Sequence, residues 1–237
     1  MIPSPLELFL ASAVMAVGCA FQAAVGVGMA LLVVPILALI DTQFVPGPML
    51  FAGTALAAAT AWRDRAAIDA RLLALSIVGL ALGTAIGALA LTRIAGPDLP
   101  KLFGGLILAA VLISLVGRRI VATRGLVLGG ATASGVLGTM VGIHGPPIAL
   151  VFQNAAPDRA RAMLGAFFAV GYATAVGSLA LVGLFGAHEA MLGAALLPGV
   201  AAGWLAAPAI ARFIDPARLR VAILLVSAAS AVALLLR

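Results

Sequence analysis

The chain has 237 residues, 64% of them hydrophobic and 9% charged, against roughly 45–50% and about 25% in an ordinary soluble domain. So few charges cannot clothe a water-facing exterior, and a soluble globule is excluded. The net charge of +6 is spread over 14 Lys and Arg scattered between apolar runs, which excludes a nucleic-acid patch and leaves membrane topology as its reading.

Eight stretches of at least 16 residues lack Asp, Glu, Lys and Arg: 8–40, 42–62, 72–92, 102–117, 125–157, 162–187, 190–211 and 221–236. The opening Met1-Ile2-Pro3-Ser4-Pro5 has no basic segment, and the run after it is too long for a signal-peptide core, so it is expected to belong to the mature chain. A bilayer core of about 30 Å takes about 20 helical residues, which suits the runs of 21, 21, 26 and 22 residues. The first and fifth runs, of 33 residues each, are too long for one crossing and too short for two. Both hold helix breakers near their midpoint, Gly26-Val27-Gly28 in one and Gly142-Ile143-His144-Gly145-Pro146-Pro147 in the other. Each is therefore expected to form a broken or re-entrant helical hairpin.

The run lengths 33, 21, 21, 16 are followed by 33, 26, 22, 16, with the starts of the first, third and fourth runs offset by 117, 118 and 119 residues, and a short basic connector at 118–124 separates the two sets. This predicts an all-α polytopic membrane protein of two repeats, residues 1–118 and 119–237, each a hairpin plus three transmembrane helices. With both long runs as hairpins, one side of the membrane collects Arg63, Arg65, Arg71, Arg118, Arg119, Arg124, Arg159, Arg161, Arg212, Arg218 and Arg220, and the other Arg93, Lys101 and Arg237. Eleven against three is the bias of cytoplasmic loops. It places both termini outside and makes the repeats inverted. Small residues four apart, Gly79, Gly83, Gly87 and Gly199, Gly203, Ala207, read as helix-packing stripes.

At the breaks, backbone N–H and C=O groups lie at membrane depth, which is tolerated where protein or a water-filled cavity surrounds them. A helix restarting there presents free N–H donors and its positive dipole end, suited to an anion. The expected anion-binding set is Gly26, Val27, Gly28 and Met29 at the first break and Gly142, Ile143, His144, Gly145 and Pro146 at the second, with Gln22 and Thr139 as nearby hydrogen-bonding side chains. His144 is either an anion donor or proton exchanger, or a neutral ring bonded to a backbone carbonyl. Thr54 and Asn154 lie further along and are read as bonding mainly to their own or neighbouring helices. Tyr172 and Ser178 read as packing, His188 beside Glu189 as a solvated pair, and Asp158, Arg159 and Arg161 as a membrane-flanking cluster. The single Cys19 and two widely spaced histidines leave no disulfide framework or metal cluster. Leu31 stands where a dinucleotide fingerprint would need its third glycine, and no nucleophile elbow or phosphate loop is present. The chain is not expected to be an enzyme.

Gly26-Val27-Gly28-Met29-Ala30 with Pro35, and Gly142-Ile143-His144-Gly145-Pro146-Pro147, resemble the paired glycine-rich motifs of the TauE/SafE family of sulfite exporters and related anion permeases. Arg63 to Gly87 and Pro198 to Arg220, including Asp215-Pro216, are similar to the family's later segments, so the resemblance covers essentially the whole chain. It implies export of sulfite, a sulfonate or a similar small anion across the bacterial inner membrane, without a cofactor. The reading is a secondary transporter working by alternating access of the two halves, with a proton or a sodium ion as candidate coupling ion. An anion channel or a non-transporting subunit of a membrane complex stand as alternatives.

Overall fold

The computed structural model describes residues 3–26, 29–94, 99–115, 122–210, 212 and 215–236. All regular structure among them is helical: α1 (Pro5–Val25), α2 (Met29–Ile40), α3 (Gly47–Arg63), α4 (Ala70–Leu91), α5 (Leu99–Ser114), α6 (Arg124–Val141), α7 (Gly145–Phe152), α8 (Pro157–Leu181), α9 (Ala187–Ile210) and α10 (Pro216–Leu235). Both 33-residue runs are broken where glycine was expected to break them. Four segments, Pro5–Ala24, Ala70–Leu91, Pro157–Leu181 and Ala187–Ile210, are long and apolar enough to cross a membrane, and α2, α5 and α10 belong to a shorter apolar class.

The termini of the helices follow from local chemistry. Ser4 caps α1 in a reciprocal box with Glu7, and Asp69 accepts from the backbone N–H groups of Arg71 and Leu72 to open α4. Thr123 caps α6 through Leu126 N–H. Gly26 and Gly142 end α1 and α6 in the left-handed conformation, with φ of 93° and 87°, a geometry that costs an L side chain roughly 1–2 kcal/mol.

Helix directions follow from contacts along the pairs. Gly79, Gly83 and Gly87 of α4 lie against the backbone of Leu128, Thr132 and Val136, so α4 and α6 run parallel. Gly199 and Gly203 of α9 lie against Ser12 and Ala16, so α9 and α1 also run parallel. In each stripe a Cβ would meet a backbone carbonyl of the facing helix; the small residues bring the two backbones together, as packing in lipid favours. α3 runs antiparallel to α8, Gly53 beside Tyr172 and Thr60 beside Gly165. α5 runs antiparallel to α10, Gly104 beside Ala231 and Ser114 beside Arg220. α2 packs on α10 and α7 on α5.

These directions gather Arg63, Arg65, Arg71, Arg124, Arg159, Arg161, Arg212, Arg218 and Arg220 at one end of the bundle and leave Arg93 and Lys101, of the described cations, at the other. The outer surface is apolar, with Leu82, Leu89, Leu181, Met191 and Leu205 exposed, the reverse of a soluble protein and the exterior that lipid requires. The core centres on Phe167, Phe168 and Tyr172 of α8, with Met15, Met29 and Met49 packed around it.

Candidate functional site

A cavity of about 500 Å³ opens inside the bundle. Its deep wall is built by both broken hairpins: Gln22 near the end of α1, Ala30 and Leu31 at the start of α2, and Ile143, Gly145 and Pro146 at the second break. Phe168 and Tyr172 of α8 close its floor, and Ser114, Gln153 and Arg220 stand around its mouth. The mouth residues belong to the ends of α5 and α7 and the start of α10, so the cavity opens at the arginine-rich end.

Two serines hold the restarting helices. The Ser227 hydroxyl of α10 donates to the Leu31 carbonyl, tying the first turn of α2 to the middle of α10. The Ser134 hydroxyl of α6 accepts the Ile148 N–H at 3.0 Å in the first turn of α7. Pro146 and Pro147 have no N–H, so the start of α7 retains at most the donors of His144 and Gly145 for a ligand. The second break is thus weaker as a backbone anion cradle than its helix terminus alone suggests, and side chains must carry more of the recognition.

The expected site residues separate into three groups. Gln22, Ile143, Gly145 and Pro146 line the cavity. Gly26, Met29, Thr139, Gly142 and His144 are buried but stand outside its lining. Gly26 faces the stem of Arg161, Met29 packs its sulfur 3.5 Å from that of Cys19, and Gly142 lies against Met49 and Val34. Thr139 faces Gly87 in the α4–α6 seam, its hydroxyl unpartnered. Val27 and Gly28 lie outside the described residues.

His144 sits one layer behind the cavity floor. Its ring fills the space over Gly138 and Gly171, where neither neighbour has a side chain, and meets the Tyr172 ring edge-on with centroids 5.1 Å apart. It is fully buried, and neither ring nitrogen makes a hydrogen bond of good geometry, although the Gly171 backbone comes close. Tyr172 in turn reaches Gln22, whose amide nitrogen is buried without a partner. Gln22, Tyr172 and His144 thus form a polar column running from the cavity floor into the closed part of the bundle. Tyr172, read from sequence as packing, is its central member.

The remaining polar groups behave as their surroundings dictate. Thr54 bonds the Leu50 carbonyl of its own helix, and His188 is exposed, 3.2 Å from Gln43. Beside the first break, Arg161 meets Asp64 at 2.8 Å and Asp158 at 3.1 Å, and Arg63 bridges Asp64 and the Ala23 carbonyl near the end of α1. Burial disfavours the Asp64 carboxylate, but the hydrogen bonds and charges of Arg63 and Arg161 outweigh it and hold its pKa below the ordinary value. Asp69 is lowered as well, first by the Leu72 N–H and then by Arg159.

A helical bundle with an apolar exterior, interrupted helices and an internal cavity open at one end has the construction of a polytopic membrane transport protein. The comparison with protein families narrows this. A family model described as "Sulfite exporter TauE/SafE" matches residues 10–234, and the chain belongs to that family. Membership implies a membrane transporter of sulfite or a related anion. No curated protein and no solved structure gives a match.

Proposed function

We propose that the protein is a secondary transporter of the bacterial plasma membrane that moves sulfite or an organosulfonate, by alternating access of two inverted repeats around the cavity between the helix breaks. The observation that carries this reading is the cavity itself: residues 22, 30 and 31 of one hairpin and 143, 145 and 146 of the other share one wall. Helix contacts support the repeats, 1–118 and 119–237. Exchanging α1 to α5 for α6 to α10 turns the α4–α6 pair into α9–α1 and the α3–α9 pair into α8–α4, and maps the α3–α8 and α5–α10 pairs onto themselves.

The arginine-rich end is the cytoplasmic side by the distribution of basic residues, with both termini outside. The cavity then faces the cytoplasm, the side from which an exporter loads. Its described lining comes from that end and the middle of the bundle, which favours a carrier with a closed far side over a continuous pore. The decisive measurement is flux in proteoliposomes. Saturable sulfite or sulfonate movement at carrier rates is expected. A lack of saturable movement of any anion refutes the reading, and unitary currents would make the protein a channel.

A further inference from the structure

The wall of the cavity holds little charge. Among its described residues Arg220 is the one side chain charged at neutral pH. Four of its neighbours at the same end of the bundle are already paired. Arg63, Arg159, Arg161 and Arg218 each meet an aspartate. Arg220 instead donates to the Ser114 carbonyl at 2.6 Å and meets no carboxylate among the described residues. A guanidinium offers five N–H donors in a planar fork suited to an oxyanion, and one carbonyl leaves most of them for a ligand.

Deeper in, recognition is neutral. Gln22 and Tyr172 are the polar side chains at the floor, and the rest of the deep wall is apolar, including Leu31, Leu164 and Phe168. A carrier must occlude its cargo, and an occluded ion loses water that only protein charges and dipoles replace. One cation balances one negative charge. A dianion in the same chamber would keep a second charge with no counter-ion.

We propose that Arg220 is the capture residue of the cavity and that the protein carries singly charged anions, so that sulfite passes as hydrogensulfite and not as its dianion. This rests on the transport reading above. Hydrogensulfite also brings an acidic proton, for which the Gln22 amide oxygen or the Tyr172 hydroxyl is an acceptor at the floor. A cavity of about 500 Å³ exceeds a bare inorganic oxyanion, and its apolar part accepts the alkyl body of a sulfonate, another monoanion.

Three anions of related shape separate charge from chemistry: methanesulfonate, singly charged at every working pH; sulfate, doubly charged; and sulfite, whose second ionisation lies near neutrality. The ionisable groups of the described wall are Arg220 and Tyr172. Outside it stand His144 behind Tyr172 and, around the heads of α4 and α8, Asp64, Asp69, Asp158, Arg159 and Arg161. Methanesulfonate reports the titration of all of these.

In proteoliposomes, methanesulfonate flux should be flat from mildly acidic to mildly alkaline pH and sulfate flux should stay at background. Sulfite flux at fixed total concentration should fall by up to about tenfold per pH unit above its second ionisation. Arg220→Gln should raise the half-saturating methanesulfonate concentration by about tenfold or more, and Arg220→Lys should recover part of that loss. Sulfate moving as well as methanesulfonate, sulfite flux rising with pH, or unchanged half-saturation in Arg220→Gln would each overturn the proposal. Absence of flux for all three anions, in contrast, refutes the transport reading itself and this inference with it.

Discussion

The two helix breaks use the same backbone device in opposite surroundings. Each ends its incoming helix on a left-handed glycine, Gly26 or Gly142. The first is overlaid by charge: Arg161 lies across Gly26, and Asp64 ties Arg161 to Arg63, which reaches back to the Ala23 carbonyl. The second is overlaid by thioether and hydrocarbon, Met49 and Val34, with His144 tucked between glycines beside it. The comparison teaches that glycine supplies the turn while the neighbours decide its strength and its response to salt and pH. The charged break sits toward the arginine-rich end, where the cavity opens, and its closure is ionic. The other is held by packing and by the uncharged hydrogen bond from Ile148 N–H to Ser134.

The largest expected effect comes from the space behind the second break. A Cβ on Gly138 would collide with Cε1, Nδ1 and Nε2 of the His144 ring, so Gly138→Ala should destabilise the protein in detergent by about 2 kcal/mol, within the usual range for overpacking. In a His144→Ala background the same change should cost almost nothing. Equal costs in both backgrounds would show that the ring does not occupy that space. Replacing the turn glycines should cost less, about 1–2 kcal/mol each for Gly26→Ala and Gly142→Ala. Asparagine, which tolerates the left-handed region, should recover part of each loss; no recovery would mean that the side chain collides with its neighbours.

Ionic closure of the first break predicts a smaller effect with its own signature. Asp64→Asn removes the partner of two arginines and should cost about 1 kcal/mol, in line with partly exposed pairs, and less in high salt. Because the folded pKa of Asp64 is depressed, its contribution is present above the unfolded value of about 3.9 and is lost as pH falls through the lower folded value. Unfolding of wild type and Asp64→Asn should therefore differ by a constant amount from neutrality down to mild acid and converge only in strong acid. Mutations at the second break should show neither dependence. Smallest is Asp69→Ala, which removes the cap of α4 and the partner of Arg159 and should lower the unfolding midpoint by less than Asp64→Asn does, with flux unchanged.

The helices and breaks were legible because their signals are local: uncharged runs of span length, and glycine and proline at their centres. Gly26 and Gly142 turn the chain as expected, and Thr54 keeps to its own helix. The small-residue stripes announced close packing but not their partners, since choosing α6 for α4 and α1 for α9 depends on contacts about 50 and 190 positions apart in the chain. The cavity was harder to foresee. Tyr172 is a lone tyrosine in an apolar helix, where packing is the ordinary role, and Arg220 is one of many flanking arginines. Only the wall they share with Gln22 marks them out. His144 drew attention as an ionisable group at depth, yet it lies behind the floor, because Gly138 and Gly171 open a niche that no run of residues reveals.

The glycine stripes set how the molecule can deform. Where Gly79, Gly83 and Gly87 seat α4 on the backbone of α6, and Gly199 and Gly203 seat α9 on α1, no side-chain layer remains to shear, so each pair behaves as one stiff strut. Both struts join a helix from before the connector to one from after it. The mechanical bodies of the protein are therefore stitched across its covalent halves: whatever moves α4 carries α6 with it, and whatever moves α9 carries α1.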